Sequence, residues 1–382
     1  MNNHETSTPQ TPERIETVVI GAGQAGLATG YHLARFKRQF TVLDAVERVG
    51  DNWRCHWDSL RLYSPAKVSS LPGMKFPAPA MSFPTKDEMA DYLEAYATEF
   101  DLPVRTSQRV RRLSRADGGY LVTTDQSSYL CDNVVVASGP FGRTAHVPEF
   151  ASELDPAIVQ LHSSEYQNPH QLQEGSVLVV GASHSGGDVA FEVASAGFDT
   201  LLSGPIHGEV PVDIESRPAR AVFPILFFLA KHLLTVRTPV GRKMRPQVRA
   251  HGGPLIRVKR ADLERVGVQL AAEKTVGVRD GRPMLDGGRV VDVANVIWCT
   301  GFRQDFSWID LPVLAEDGWP RETRGVSDDE PGLYFVGLAF QYAFASMLVG
   351  GAGRDAEYVA NHLAALRSME SVGSHLRQAA DA

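Results

Sequence analysis

Two short stretches have the residue types and spacing of diphosphate recognition: Gly21-Ala22-Gly23-Gln24-Ala25-Gly26 and Gly181-Ala182-Ser183-His184-Ser185-Gly186. In the first, Gly21 permits a tight turn, Gly23 lets a pyrophosphate approach the backbone, and Gly26 lets the following helix lie close to its strand. The helix start then offers unsatisfied N–H groups and a partial positive charge. The β-branched run Thr17-Val18-Val19-Ile20 precedes this turn and Leu27 to Arg35 keeps helical spacing after it. The next apolar run, Phe40-Thr41-Val42-Leu43, ends in Asp44, 18 residues past Gly26. A carboxylate there suits a ribose hydroxyl pair. Together these residues predict a bound adenine dinucleotide.

The second stretch follows Val177-Leu178-Val179-Val180 and opens a helix through Val189, Phe191 and Val193. Ser183 replaces the middle glycine; a small hydroxyl residue still fits beside a pyrophosphate. The next strand, Thr200-Leu201-Leu202, ends in Ser203 where the first copy has Asp44. An acid there would repel a 2′-phosphate, so Ser203 tilts the cofactor toward NADPH. NADH stays open, because Gly204 and Pro205 follow rather than an arginine. Both copies also close alike, on Ala137-Ser138-Gly139 and Cys299-Thr300-Gly301, 118 residues after Gly21 and 120 after Gly181. Equal spacing predicts two related lobes.

The elements that must position these turns are legible in part. Thr85-x-x-Glu88 reads as a capping box opening a helix with Met89, Tyr92, Leu93, Tyr96 and Phe100 on one face. Pro103–Val110 and Tyr120–Thr124 read as strands of a small sheet, with a hairpin at Gly118-Gly119. Leu71 to Pro84 reads as a proline-rich loop wrapping the first lobe. Trp53, after the Gly50 turn, can lay its indole beside a flavin. Gly350-Gly351-Ala352-Gly353 reads as the start of a final helix, Ala356 to Leu366, suited to the negative charge of a reduced flavin.

Composition sets the outer bounds. The chain has 382 residues, 43% hydrophobic and 22% charged, with 34 glycines and a net charge of −7. That excludes wholesale disorder and argues against a general nucleic-acid binder. Cys55, Cys131 and Cys299 are far apart, so neither a redox dithiol nor a metal cluster is expected, and sparse cysteine suits a cytoplasmic location. Met1 to Glu13 is polar and reads as a disordered lead rather than a signal peptide. The longest apolar run, Ala221 to Ala230, is too short to span a bilayer. It reads as a buried helix or tunnel wall interrupted by Pro224, with membrane-surface contact as the alternative. Ser216 to Ala261 carries eleven Lys/Arg and no Asp/Glu. It faces either a cofactor phosphate or acidic substrate, or solvent or a second subunit of a homodimer.

With these residues in hand, the chain resembles bacterial flavin-containing monooxygenases, in particular short CzcO-like NAD(P)H/FAD-dependent oxidoreductases related to plant indole-pyruvate monooxygenases. The likeness runs from about Arg14 to Leu366. It rests on the two turns, on Gly50-Asp51-Asn52-Trp53-Arg54 with Trp57-Asp58-Ser59-Leu60-Arg61-Leu62, and on Cys299-Thr300-Gly301. It implies an α/β fold of two Rossmann-like three-layer domains of the glutathione-reductase type. An FAD domain (14–170 and 296–382) would carry an inserted NAD(P) domain (171–295). Cofactor contacts are expected at Gly21, Ala22, Gly23, Gln24, Ala25, Asp44, Trp53, Arg54, Val110, Ala137 and Gly139 for FAD. For NADPH they are expected at Gly181, Ser183, His184, Ser185, Gly186, Ser203, Thr300 and Gly301. The resemblance implies hydride transfer from NADPH to FAD, a C4a-hydroperoxide, and transfer of one oxygen of O2 to a small organic substrate. Of the family signature Phe-x-Gly-x-x-x-His-x-x-x-Tyr only His162 and Tyr166 remain, with Pro156 and Ile158 at the Phe and Gly positions; Tyr166 leans toward N- or S-oxygenation. Tyr63 falls where some relatives have an active-site asparagine, and is a candidate to hydrogen-bond flavin or peroxide. His162 reads as a link between lobes. The alternatives are an NAD(P)H oxidase or reductase, and a non-catalytic dinucleotide-binding regulator.

Overall fold

The computed structural model describes residues 11–140, 142, 144–250 and 252–380, with side chains to residue 365. The expected lead lies mostly outside them; Glu13 already begins the first strand, Glu13–Ile20.

Two sheets organise the chain, and both are built from apolar, β-branched runs. In the first, Val104–Arg105, Phe40–Leu43, Glu13–Ile20, Ser128–Val136 and Leu333–Phe335 run parallel in that spatial order. In the second, Gln269–Ala271, Thr200–Ser203, Val177–Val180, Asn295–Trp298 and Val159–His162 also run parallel. Val177–Val180 is buried at every position, as expected where both faces of a sheet are covered. This is the expected Rossmann-like α/β architecture.

Sheet membership moves two strands across the expected division. Val159–His162 and Asn295–Trp298 both pair within the second sheet. The strands at 110–124 do not form a separate small sheet. Val110–Ala116 and Gly119–Thr124 form an antiparallel meander joined to Ser128–Val136, so they extend the first sheet. The long strand Ser128–Val136 serves both, pairing antiparallel with Gly119–Thr124 over residues 128–131 and parallel with Glu13–Ile20 from Tyr129 to Val136.

The capping box forms: Glu88 N–H donates to Thr85 Oγ1 at 3.1 Å and Thr85 N–H to Glu88 Oε2 at 2.8 Å. Its helix, Lys86–Glu99, buries Met89, Tyr92, Leu93 and Tyr96. The Tyr92 and Tyr96 hydroxyls donate to Met74 O and Pro72 O, each at 2.7 Å, and so fasten the proline-rich loop to the first unit. The final helix runs over Val349–Ala380. Its glycines serve close packing: a Cβ at Gly350 would lie 1.9 Å from Val68 O, and one at Gly351 1.7 Å from Ala345 O.

The run around Ala221–Ala230 is neither buried nor broken. The helix Arg217–His232 continues through Pro224 and buries only Ala219 and Ala230. A proline there removes one backbone donor without ending the helix.

Candidate active site

The two glycine turns have the same local construction. Gly21 N–H donates to Leu43 O at 2.7 Å, and Gly181 N–H to Ser203 O at 2.8 Å. Both glycines have positive φ, +107° and +106°. A Cβ at Gly21 would lie 2.5 Å from Ala137 O, and one at Gly181 2.4 Å from Cys299 O. At Gly26 and Gly186 a Cβ would lie 1.8 Å from the carbonyl of Gly21 and Gly181 respectively. Helix, turn and the strand end at 137 or 299 therefore meet at distances only glycine permits.

Gly23 and Gly139 differ from these. Among the described residues, no atom lies within 4 Å of a Cβ placed on either, and the same holds at Gly301. The helices Gln24–Arg35 and His184–Ser195 begin at Gly23 and Ser183 without a side-chain cap and without an acid in the first turn. Their leading N–H groups are left to an anion. Ala22 N–H donates to the Asp44 carboxylate, whose other oxygen accepts Val46 N–H at 3.2 Å. Asp44 is thereby held at the rim of the first turn. Gln24 and Ala25 form the first helical residues, and a Cβ at Gly337 would lie 2.7 Å from the Ala25 methyl. Open backbone at Gly23 and Gly139, an uncapped helix start and a rim carboxylate together fit a flavin adenine dinucleotide.

A buried polar pair joins the two units. Tyr63 Oη donates to Asp188 Oδ2 at 2.8 Å, and Arg257 NH1 is 3.7 Å from the same oxygen. Arg257 also lies over the Tyr63 ring at 5.3 Å and donates to Leu62 O at 2.9 Å. Burial, then the Asp188 charge, push the Tyr63 phenol well above its ordinary range. Burial raises Asp188 too, opposed by the Tyr63 hydrogen bond and the Arg257 charge. His184, the first residue of its helix, sits edge-on to Tyr63 at 5.3 Å. Its Nδ1 is buried without a hydrogen-bond partner among the described residues, and burial holds the ring below its usual basicity.

A family model described as pyridine nucleotide-disulphide oxidoreductase matches residues 18–215. The chain belongs to that family. It is 38% identical over 350 residues to a protein of Geobacillus kaustophilus described as an uncharacterized CzcO-like oxidoreductase, covering 91% of this chain and 98% of that one. A probable indole-3-pyruvate monooxygenase of Arabidopsis thaliana, YUCCA7, is 27% identical over 91% of this chain and 87% of its own. Among solved structures, the flavin-containing monooxygenase from Stenotrophomonas maltophilia superposes with a TM-score of 0.76 at 26% identity, covering 93% of this chain and 99% of that one. By family the chain is a flavin-dependent monooxygenase or oxidoreductase. Its cysteines are free, Cys55 exposed and the other two buried. Burial pushes the Cys299 thiol up to about 12, so it is held as an inert thiol.

Several expected contacts of this flavoprotein are committed elsewhere. The Arg54 fork is taken up by Asp51 at 2.9 Å, Asp91 at 2.8 Å and Glu94 at 3.0 Å, which join it to the helix Lys86–Glu99. Tyr63 Oη points to Asp188 rather than standing free for flavin or peroxide. Ser203 is fully buried and its hydroxyl pairs with Thr275 Oγ1 at 2.8 Å. It does not mirror the Asp44 contact with its turn. Val110 opens its strand two residues after Gln108, whose N–H donates to Asp44 O at 2.7 Å. Trp53 is partly buried against both units' cores, and its Nε1 is buried without a partner among the described residues.

The segment after Trp298 is held by two histidines and a threonine. His162 Nε2 bonds Gly301 O at 2.9 Å, while Nδ1 accepts from Ser164 N–H at 3.2 Å. That fixes the neutral Nε2–H tautomer, and burial lowers its basicity. Thr300 Oγ1 donates to His146 O, and His146 N–H donates to Gly301 O at 2.9 Å. Tyr166 Oη donates to Glu192 Oε2 at 3.0 Å, inside the second unit.

One segment was not foreseen. A Cβ at Gly252 would lie 2.9 Å from Ser183 Cβ, and one at Gly253 3.1 Å from His184 Nδ1. Residues 252–255 thus lie across the start of the second helix, with Leu255 fully buried against Gly187. The signal was the Gly252-Gly253 pair, which a backbone crossing this close requires.

Proposed function

We propose that the first unit binds FAD, that the second unit (Val159 to Trp298 by sheet membership) binds NADPH, and that the enzyme inserts one oxygen of O2 into a small organic substrate, with N- or S-oxygenation favoured. The observation that carries this reading is the repeated construction of the two turns, each closing on a small-small-glycine strand end. FAD, when bound, supplies hydride acceptance and oxygen activation.

The chain's own residues bind and orient. The uncapped start of Gln24–Arg35 takes the FAD diphosphate, Gly23 and Gly139 give it room, and Asp44 accepts from the ribose hydroxyls. The start of His184–Ser195, with Gly252 and Gly253 lying against it, takes the second diphosphate. His162, neutral, holds the Gly301 carbonyl at the crossover between units. The Tyr63–Asp188–Arg257 group fixes the polar floor between the cofactors.

Turnover of the FAD-loaded enzyme with NADPH under 18O2, across small amines, sulfides, indoles and ketones, tests this. Label in an organic product supports it. NADPH consumption that returns all oxygen as peroxide or water, for every class, overturns it in favour of an NAD(P)H oxidase. That second reading is favoured by one observation, the commitment of the Tyr63 hydroxyl to Asp188.

A further inference from the structure

The helix Arg217–His232 turns an apolar stripe outward. Val222, Ile225, Leu226, Phe228, Leu229 and Leu233 are exposed, Ile225 and Phe228 at 60% each. With Val240 they are seven of the twelve large apolar side chains exposed among the described residues. Spacings of three and four place them on one side of the helix. The opposite side is anchored, with Phe223 edge-on to Phe83 at 6.3 Å and Phe227 against Gly350. Exposed apolar area on this scale marks an interaction surface.

Cations frame the stripe. Arg217 and Arg220 are exposed at its start, and Arg237, Arg242 and Lys243 beyond its end. No acid occurs from Ser216 to Ala261, in a chain of net charge −7. Next to the helix end, Arg354, Arg324 and Arg237 lie over one ring, Tyr342, at 4.7, 4.2 and 5.9 Å. Arg354 donates to Lys231 O in the last turn of the helix. The Nε of Arg324 and an NH2 of Arg354 are buried without hydrogen-bond partners among the described residues.

We propose that this face docks on an anionic lipid bilayer surface, with the apolar stripe entering the headgroup–acyl boundary and the arginines meeting lipid phosphates. A basic amphipathic helix with Phe and Leu on one side has this chemistry. A second copy fits less well, because two-fold pairing would set one cationic frame against another. An acidic helical peptide would need a groove, and these side chains stand exposed along one face of a surface helix. The negative remainder of the chain is repelled from the same surface and sets the orientation. Val236 N–H donates to Tyr342 O and Phe344 N–H to Leu234 O, both at 2.9 Å, so the docked helix is bonded to the segment leading into the final helix.

Flotation of the FAD-loaded protein with vesicles tests this. Phosphatidylcholine vesicles are compared with vesicles that also contain phosphatidylglycerol, at low and high salt. The expected result is binding to the anionic vesicles alone, weakened about tenfold or more by salt, by Arg242→Glu with Lys243→Glu, and by Ile225→Glu with Phe228→Glu. The Ile225/Phe228 variant keeps its flavin absorbance and NADPH consumption. No binding to anionic vesicles at low salt, or equal binding to both kinds, overturns the proposal. So does a lipid-free dimer that Ile225→Glu with Phe228→Glu dissociates, or saturable binding of a poly-glutamate peptide in place of vesicles.

Discussion

The Tyr63 hydroxyl, on a loop of the first unit, donates at 2.8 Å to the Asp188 carboxylate on the first helix of the second unit. The two residues are 125 positions apart, yet they set the polar contact at the centre of the candidate site. A buried carboxylate that loses a donor keeps its desolvation cost. Tyr63→Phe is therefore expected to destabilise the protein by about 1–3 kcal/mol. Combined with Asp188→Asn, the loss should be smaller than the sum of the single losses. Urea unfolding of the four proteins of the cycle reads the coupling directly.

The glycines of the first turn separate fold from ligand. Gly26→Ala places a methyl at 1.8 Å from Gly21 O and should prevent folding. Gly23 has an ordinary φ of −76° and open space around it. Gly23→Ala should therefore leave the FAD-free protein as stable as before, or more stable by about 0.4–1 kcal/mol. It should weaken FAD binding at least tenfold. Thermal unfolding of the FAD-free protein and flavin fluorescence titration check the two halves.

Ser203 lies in a closed environment that changes what its substitution should do. Its hydroxyl is buried against Thr275, so Ser203→Asp puts a carboxylate into the second core. The expected outcome is a lower Tm together with similar loss of affinity for NADPH and NADH. A selective loss of NADPH at unchanged Tm would instead place this side chain at the 2′-phosphate.

Acid should weaken the fold through its buried histidines. His162 and His184 are both held below the usual value of 6.5, by burial first. The unfolded chain binds these protons more readily, so this stability is fully present above pH 6.5 and falls as pH drops below it. Burial raises Asp188, Glu192 and Glu322; such groups act in the opposite sense just above the ordinary carboxylate range. They cancel when wild type is compared with His162→Gln. The variant's Tm should fall less between pH 7.5 and pH 5.5.

What the sequence discloses follows from how local each feature is. The turns, the capping box at Thr85, and the strand ends at Gly139 and Gly301 depend on residues close in sequence, and they form as read. The same local logic misplaces features set by distant partners. Arg54 looks free until Asp91 and Glu94, about forty residues away, take its fork. Tyr63 looks available until Asp188 arrives. The apolar run at 221–230 reads as core because hydrophobicity alone does not say which face a helix turns inward. Its inner face was fixed by Phe83 and Gly350, from two distant segments. The strand at 110–116 joins the first sheet by way of Gly119–Thr124, which pairs with Ser128–Val136, a strand whose length the local pattern does not reveal.

The central claim is that two dinucleotides meet in one chain, FAD at Gly21–Gly26 and NADPH at Gly181–Gly186. Anaerobic titration of the purified, FAD-loaded protein with NADPH tests it most directly. The expected result is loss of the flavin absorbance near 450 nm, complete at one NADPH per FAD, and slowed by Ser183→Asp, which sets a carboxylate at the uncapped start of His184–Ser195. A flavin that stays oxidised in excess NADPH, or a protein that holds no flavin, would contradict it.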